Sequence, residues 1–186
     1  MGKPGINNVV EESSVDCAAM SMTELADHIE QTHHTYLHAE LPNLDKIIEV
    51  VASVHGDSDS RLSELRDTFR MLAAELSGHM MKEEQILFPM VRQLDASETT
   101  PAFHCGSLAN PIQQMGLEHT QAEALLEKLH ELTDGYSVPE WACGTYRGML
   151  DALAHFVHDT RLHIDKENNS LFPRAVEVER AKTASA

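Results

Sequence analysis

His79–Pro89 reads H-M-M-K-E-E-Q-I-L-F-P, and His163–Pro173 reads H-I-D-K-E-N-N-S-L-F-P. Both fit one template, H-x-x-K-E-x-x-x-L-F-P, displaced by 84 positions. An α-helix turns once in about 3.6 residues, so His79 and Glu83 share a face, as do His163 and Glu167. A chain that twice aims an imidazole and a carboxylate in one direction has the parts of a two-metal site. The flanking residues argue against plain solvated helix faces: Ile86, Leu87, Phe88 and Met90 make the first copy apolar, and Leu171 and Phe172 the second.

Working outward, helical patterning dominates and no stretch shows sustained period-two alternation. Ser21 with Glu24 forms a capping box that opens a helix over 22–55, closed by Gly56, with Pro42 expected to bend it. Leu37, Leu41, Leu44, Ile47, Ile48 and Val51 mark its inward stripe. D-S-D-S at 57–60 offers caps for a second helix to about 94, with Pro89 near its end. Asn110–Pro111 starts a third, which Gly135 stops. Ser137 and Glu140 suggest a second capping box for a fourth helix, ending near Phe172–Pro173. The expected fold is all-α, an up-down-up-down four-helix bundle over residues 21–180, with a loosely ordered leader at 1–20 and a tail at 181–186.

Two H-x-x-x-E pairs do not suffice for two ions, so the other helices must contribute. Height counting selects His119 on the third helix and admits His34 or His38 equally on the first. It excludes His55, which lies 21 residues from His34. His119 and His163 fit less neatly: their offset is 9 residues, about 14 Å, so residues 134–140 must climb or the fourth helix must overhang the third. A ferritin-type E-x-x-H arrangement is the rival, carried by Glu30–His33 and Glu127–His130. Imidazole with carboxylate and no thiolate suits iron or manganese. Glu75 and Asp159, each one turn before a histidine, are candidate acceptors for the imidazoles' second N–H, whereas Glu118 points to a different face from His119.

Composition sets the outer limits. The chain has 186 residues, a size that needs no disulfide staples, and its 12 histidines against 9 glycines favour metal binding. A formal charge of −16 argues against nucleic acid and anionic membranes. Cys17, Cys105 and Cys143 read as free thiols of a reducing compartment, and neither a signal sequence nor a membrane span is visible. A cytoplasmic location is expected.

H-H-T-Y-L-H-A-E-L-P at 33–42, G-L-E-H at 116–119 and the two copies of the template together resemble hemerythrin-like proteins. L-T-D-G-Y-x-x-P-E-x-A-C-x-T-Y at 132–146 is similar to the repair-of-iron-centres family of bacterial di-iron proteins. The resemblance implies a non-haem, oxo-bridged di-iron centre and repair of damaged iron–sulfur clusters under nitrosative or oxidative stress, with iron–sulfur client proteins as partners. It selects His34 over His38 as first ligand and matches His79, Glu83, His119, His163 and Glu167 to the remaining ligand positions, with Glu75 and Glu118 as nearby acids. The same resemblance carries two rival functions: reduction of nitric oxide, or reversible binding of O₂ or NO. Members usually begin with a small domain bearing a Cys-Cys pair, where this sequence has only Cys17 in its leader.

Overall fold

Ser21 opens the bundle as its sequence dictates: its hydroxyl accepts the Glu24 N–H (3.1 Å), and the Glu24 carboxylate accepts the Ser21 N–H (2.8 Å). The computed structural model describes residues 16–185, which form four long helices and, among the described residues, no strand. Most of the leader expected at 1–20 lies outside the described residues. Helix α1 (22–55) comprises Met22–Ile29, a π-helical turn Glu30–His34, and Thr35–His55. Helix α2 (61–96) comprises Arg61–Lys82, a π turn Glu83–Leu87, and Phe88–Ala96. Helix α3 is Ala109–Leu132, and α4 (144–184) comprises Gly144–Lys166, a π turn Glu167–Leu171, and Phe172–Ala184. Each helix packs against its neighbours in the expected up-down-up-down order.

Two boundaries differ from the sequence reading. Pro173 does not end its helix, because it falls, as Pro89 does, in the first turn of α-helix after a π turn. There its missing N–H costs no bond. Pro42 sits on the exposed face of Thr35–His55 without ending it. Helix α4 starts at Gly144, capped by Cys143, instead of near Pro139. Ser137 is used in the preceding turn, where its hydroxyl donates to the Asp134 carbonyl, and Asp134, Gly135 and Tyr136 all adopt positive φ.

That late start removes about a third of the height mismatch. His163 lies 19 residues into α4 and His119 lies 13 before the end of α3. The remaining mismatch is about 9 Å, which the connection 133–143 spans.

The core has two apolar layers with a polar layer between them. One layer joins the Leu37–Val51 stripe to Leu62–Met80, Ala122–Leu129 and Tyr146–Val157. The other joins Met22–Ile29 to Leu87–Leu94, Leu108, Met115 and Leu171–Ala175. Each fully buried Leu, Ile or Phe contributes about 1.5–3 kcal/mol, which offsets the cost of the charged layer held between. No helix among the described residues is long and apolar enough to cross a membrane.

Candidate metal centre

The polar layer brings His34, His79, His119, His163, Glu83 and Glu167 together, and all six are buried. They form two nests that share both glutamates: His34, His163, Glu83 and Glu167, and His79, His119, Glu83 and Glu167. Within each nest the candidate ligand atoms lie within 4.8 Å of one another. The π turns place them. Glu83 and Glu167 each begin one, and His34 ends the third. A π turn inserts one extra residue and swings the following side chains around the axis, which lets a helix aim a ligand inward and then resume its apolar stripe.

The contacts between these groups call for a cation or a proton between them. His34 Nε2 lies 3.1 Å from His163 Nε2, and His119 Nε2 lies 3.0 Å from His79 Nε2, so without one, lone pair would face lone pair. Both carboxylate oxygens of Glu83 and of Glu167 are buried without a hydrogen-bond donor. They sit 3.1–3.8 Å from the imidazole Nε2 atoms. Burial alone would push the imidazolium forms of His34 and His79 down. The facing Glu83 and Glu167 overcome it, raising His34 and holding His79 up to about 9. Burial likewise opposes ionisation of Glu167, but His163 and His119 hold its carboxyl well below the usual range. Protons at these imidazoles occupy the place a divalent cation would take.

The opposite ring nitrogens are oriented by outer partners. His34 Nδ1 lies 3.0 Å from Glu84 Oε1, His79 Nδ1 3.0 Å from Glu118 Oε2, and His119 Nδ1 3.0 Å from Asn168 Oδ1. Neutral rings with their Nε2 lone pairs directed inward donate all three bonds through Nδ1–H. Phe88 stacks on His34 and Phe172 on His119, at 5.6 and 5.9 Å between centroids. The site is thus nearly two-fold symmetric, with His34, His79 and Glu84 equivalent to His119, His163 and Asn168.

Glu118 was underrated by its helical position: it accepts from His79 on the neighbouring helix and is ion-paired to Lys82. Those partners outweigh burial and hold its carboxyl down to about 2. Glu75, expected to hold His79, is exposed. Asp159, expected to hold His163, instead meets His33 Nδ1 at 3.0 Å. His38 is half exposed and touches Glu84, outside both nests. His55 lies at the other end of the bundle beside Cys143, Trp141 and Tyr146. The E-x-x-H rival fails: Glu30 pairs with Arg92, Glu127 pairs with Arg161, and His130 packs on Tyr136. Asn168 and Glu84 were missed as outer partners, although both directly follow a template glutamate.

A cavity of about 280 Å³ reaches the centre, lined by Glu75, His79, Lys82, Gln114, Glu118 and His163 among others. It has room for a small ligand beside the His79–His119 side.

The hemerythrin HHE cation binding domain matches residues 25–175. The chain belongs to the hemerythrin HHE family. This hemerythrin-family chain is also 37% identical over 161 residues to proteins named iron-sulfur cluster repair protein YtfE, including those of Escherichia coli O1:K1 and Escherichia fergusonii. The match covers 87% of this chain and 69% of each relative. The cofactor of this family is a non-haem pair of iron ions, and a donor set of four imidazoles and two shared carboxylates fits it.

Proposed function

We propose that this protein holds two iron ions, one between His34 and His163 and one between His79 and His119, both bridged by Glu83 and Glu167. Its function is to supply or restore iron to damaged iron–sulfur clusters under nitrosative or oxidative stress. Residues 21–180 are the unit that does so. The observation that carries the reading is the pair of nests sharing two buried carboxylates that have no donor of their own. The relatives named for cluster repair supply the direction.

When bound, the iron pair supplies redox chemistry and a store of transferable metal. The chain's own residues hold it in place: Glu84, Glu118 and Asn168 orient the imidazoles, and the apolar layers exclude water above and below. The polar lining at Glu118, Lys82 and Gln114 gives small ions and ligands a route from solvent. That route also favours a second reading, in which a diatomic such as NO or O₂ reaches the centre and is bound or reduced there.

Anaerobic loading with ferrous ion tests the first reading. The protein is expected to take two equivalents and to restore activity to a client enzyme whose iron–sulfur cluster has been damaged by NO. Glu83→Ala and Glu167→Ala should each lose much of the metal, since each carboxylate serves both ions. Full iron retention in both variants would refute the shared bridges. Nitrous oxide evolved on adding NO to the loaded protein alone would favour the second reading.

A further inference from the structure

The near two-fold symmetry of the centre fails at one position. The residue before His119 is Glu118, which backs His79; the residue before His34 is His33, which should back His163 and does not. The His33 ring instead stacks nearly parallel to that of His163, at 5.9 Å and 15°. His163 Nδ1 is therefore sealed from solvent with no hydrogen-bond partner among the described residues. The lysine behind it is also paired differently. Lys82 pairs with Glu118, whereas its equivalent Lys166 meets His33 Nε2 at 2.8 Å and His28 Nε2 at 3.0 Å. Asp159 Oδ1 is engaged by His33 Nδ1, and its Oδ2 is buried without a hydrogen-bond partner among the described residues. On the same half, Glu84 divides itself between His34 and His38, at 3.0 and 2.8 Å.

We infer that the two metal positions are unequal, and that the ion held by His34 and His163 is the one surrendered first. The inference rests on the two-iron reading proposed above. A carboxylate or carbonyl behind a metal-bound imidazole fixes the ring and raises its basicity, and its loss typically weakens binding about 10–100-fold. His79 has that support and His163 lacks it. The cavity is lined by His79, His119 and His163 but not by His34, so solvent access does not favour this half and the assignment rests on the missing partner of His163. The exchangeable ion of a donor protein and the retained ion that keeps its site assembled are thereby assigned to different halves.

The experiment follows iron leaving the protein. Anaerobic titration of the metal-free chain with ferrous ion should reach two equivalents; a lower end point overturns the two-iron reading and this inference with it. Mixing the loaded protein with a chromogenic ferrous chelator should then remove one equivalent quickly and the other at least about 10-fold more slowly. His33→Glu places an acceptor where Glu118 stands in the other half, with Lys166 ready to pair with it, and should slow the fast phase toward the slow one. Glu118→Gln should do the reverse and speed the slow phase. Circular dichroism establishes the fold, and should His33→Glu not fold, Glu118→Gln decides. Two equivalents leaving wild type in a single phase, or Glu118→Gln speeding only the fast phase, would overturn the assignment while leaving the two-iron site intact.

Discussion

Glu118 Oε2 lies 3.0 Å from His79 Nδ1 across the α2–α3 interface, whereas Glu75, one turn before His79 on its own helix, makes no such bond. The carboxylate that orients this ligand is therefore supplied by tertiary packing. Glu118→Gln is expected to keep the fold and weaken metal binding by about 10–100-fold, while Glu75→Gln changes it little. Retention of iron against a competing chelator measures both. Equal retention by the two variants would remove Glu118 from its orienting role.

Protons and metal compete for the same imidazoles. Burial lowers the pKa of His79, but Glu83 and Glu167 raise it further, to about 9 from an ordinary 6.5. A raised value contributes stability to the metal-free chain below about pH 6.5, and this is lost as pH climbs through about 9. Metal affinity should move oppositely, rising over that interval, and loading at pH 7.5 should release protons. Calorimetry in two buffers of different ionisation enthalpy counts them. A count of zero would mean that the imidazoles are already neutral without metal.

At the far end of the bundle, Cys143 caps α4, and its thiol is held down to about 7 by the Tyr146 backbone N–H and by His55 Nε2 at 3.2 Å. It is exposed, while Cys17 and Cys105 are partly covered. Iodoacetamide at pH 7 should modify Cys143 before the other two, and His55→Ala should slow that reaction several-fold. Peptide mass mapping over a time course gives the order. Simultaneous labelling of all three would discount the His55 contact.

Much of the fold was legible because its signals are local. The template pairs are neighbours on one helix, the Ser21 capping box spans four residues, and the Leu37–Val51 stripe has simple helical periodicity. The signal at Pro173 misled for a definite reason: a π turn before it shifts the ring into a first turn, and simple helical periodicity does not mark that insertion. The six inward-facing residues were chosen from spacing and height, with family likeness needed to separate His34 from His38, and the structure gathers them. Their outer partners did not follow. Glu118, Glu84 and Asn168 reach histidines 39 to 50 residues away in sequence, and only the packing of neighbouring helices brings them there.

Glu167 belongs to both nests and lies on α4, which is made after the other three helices. While the first three helices emerge from the ribosome, His34, His79, Glu83 and His119 already exist, yet neither coordination sphere is complete. If these nests hold the metal, its acquisition waits for α4, and a chain truncated before α4 would carry four of the six candidate donors with neither nest complete.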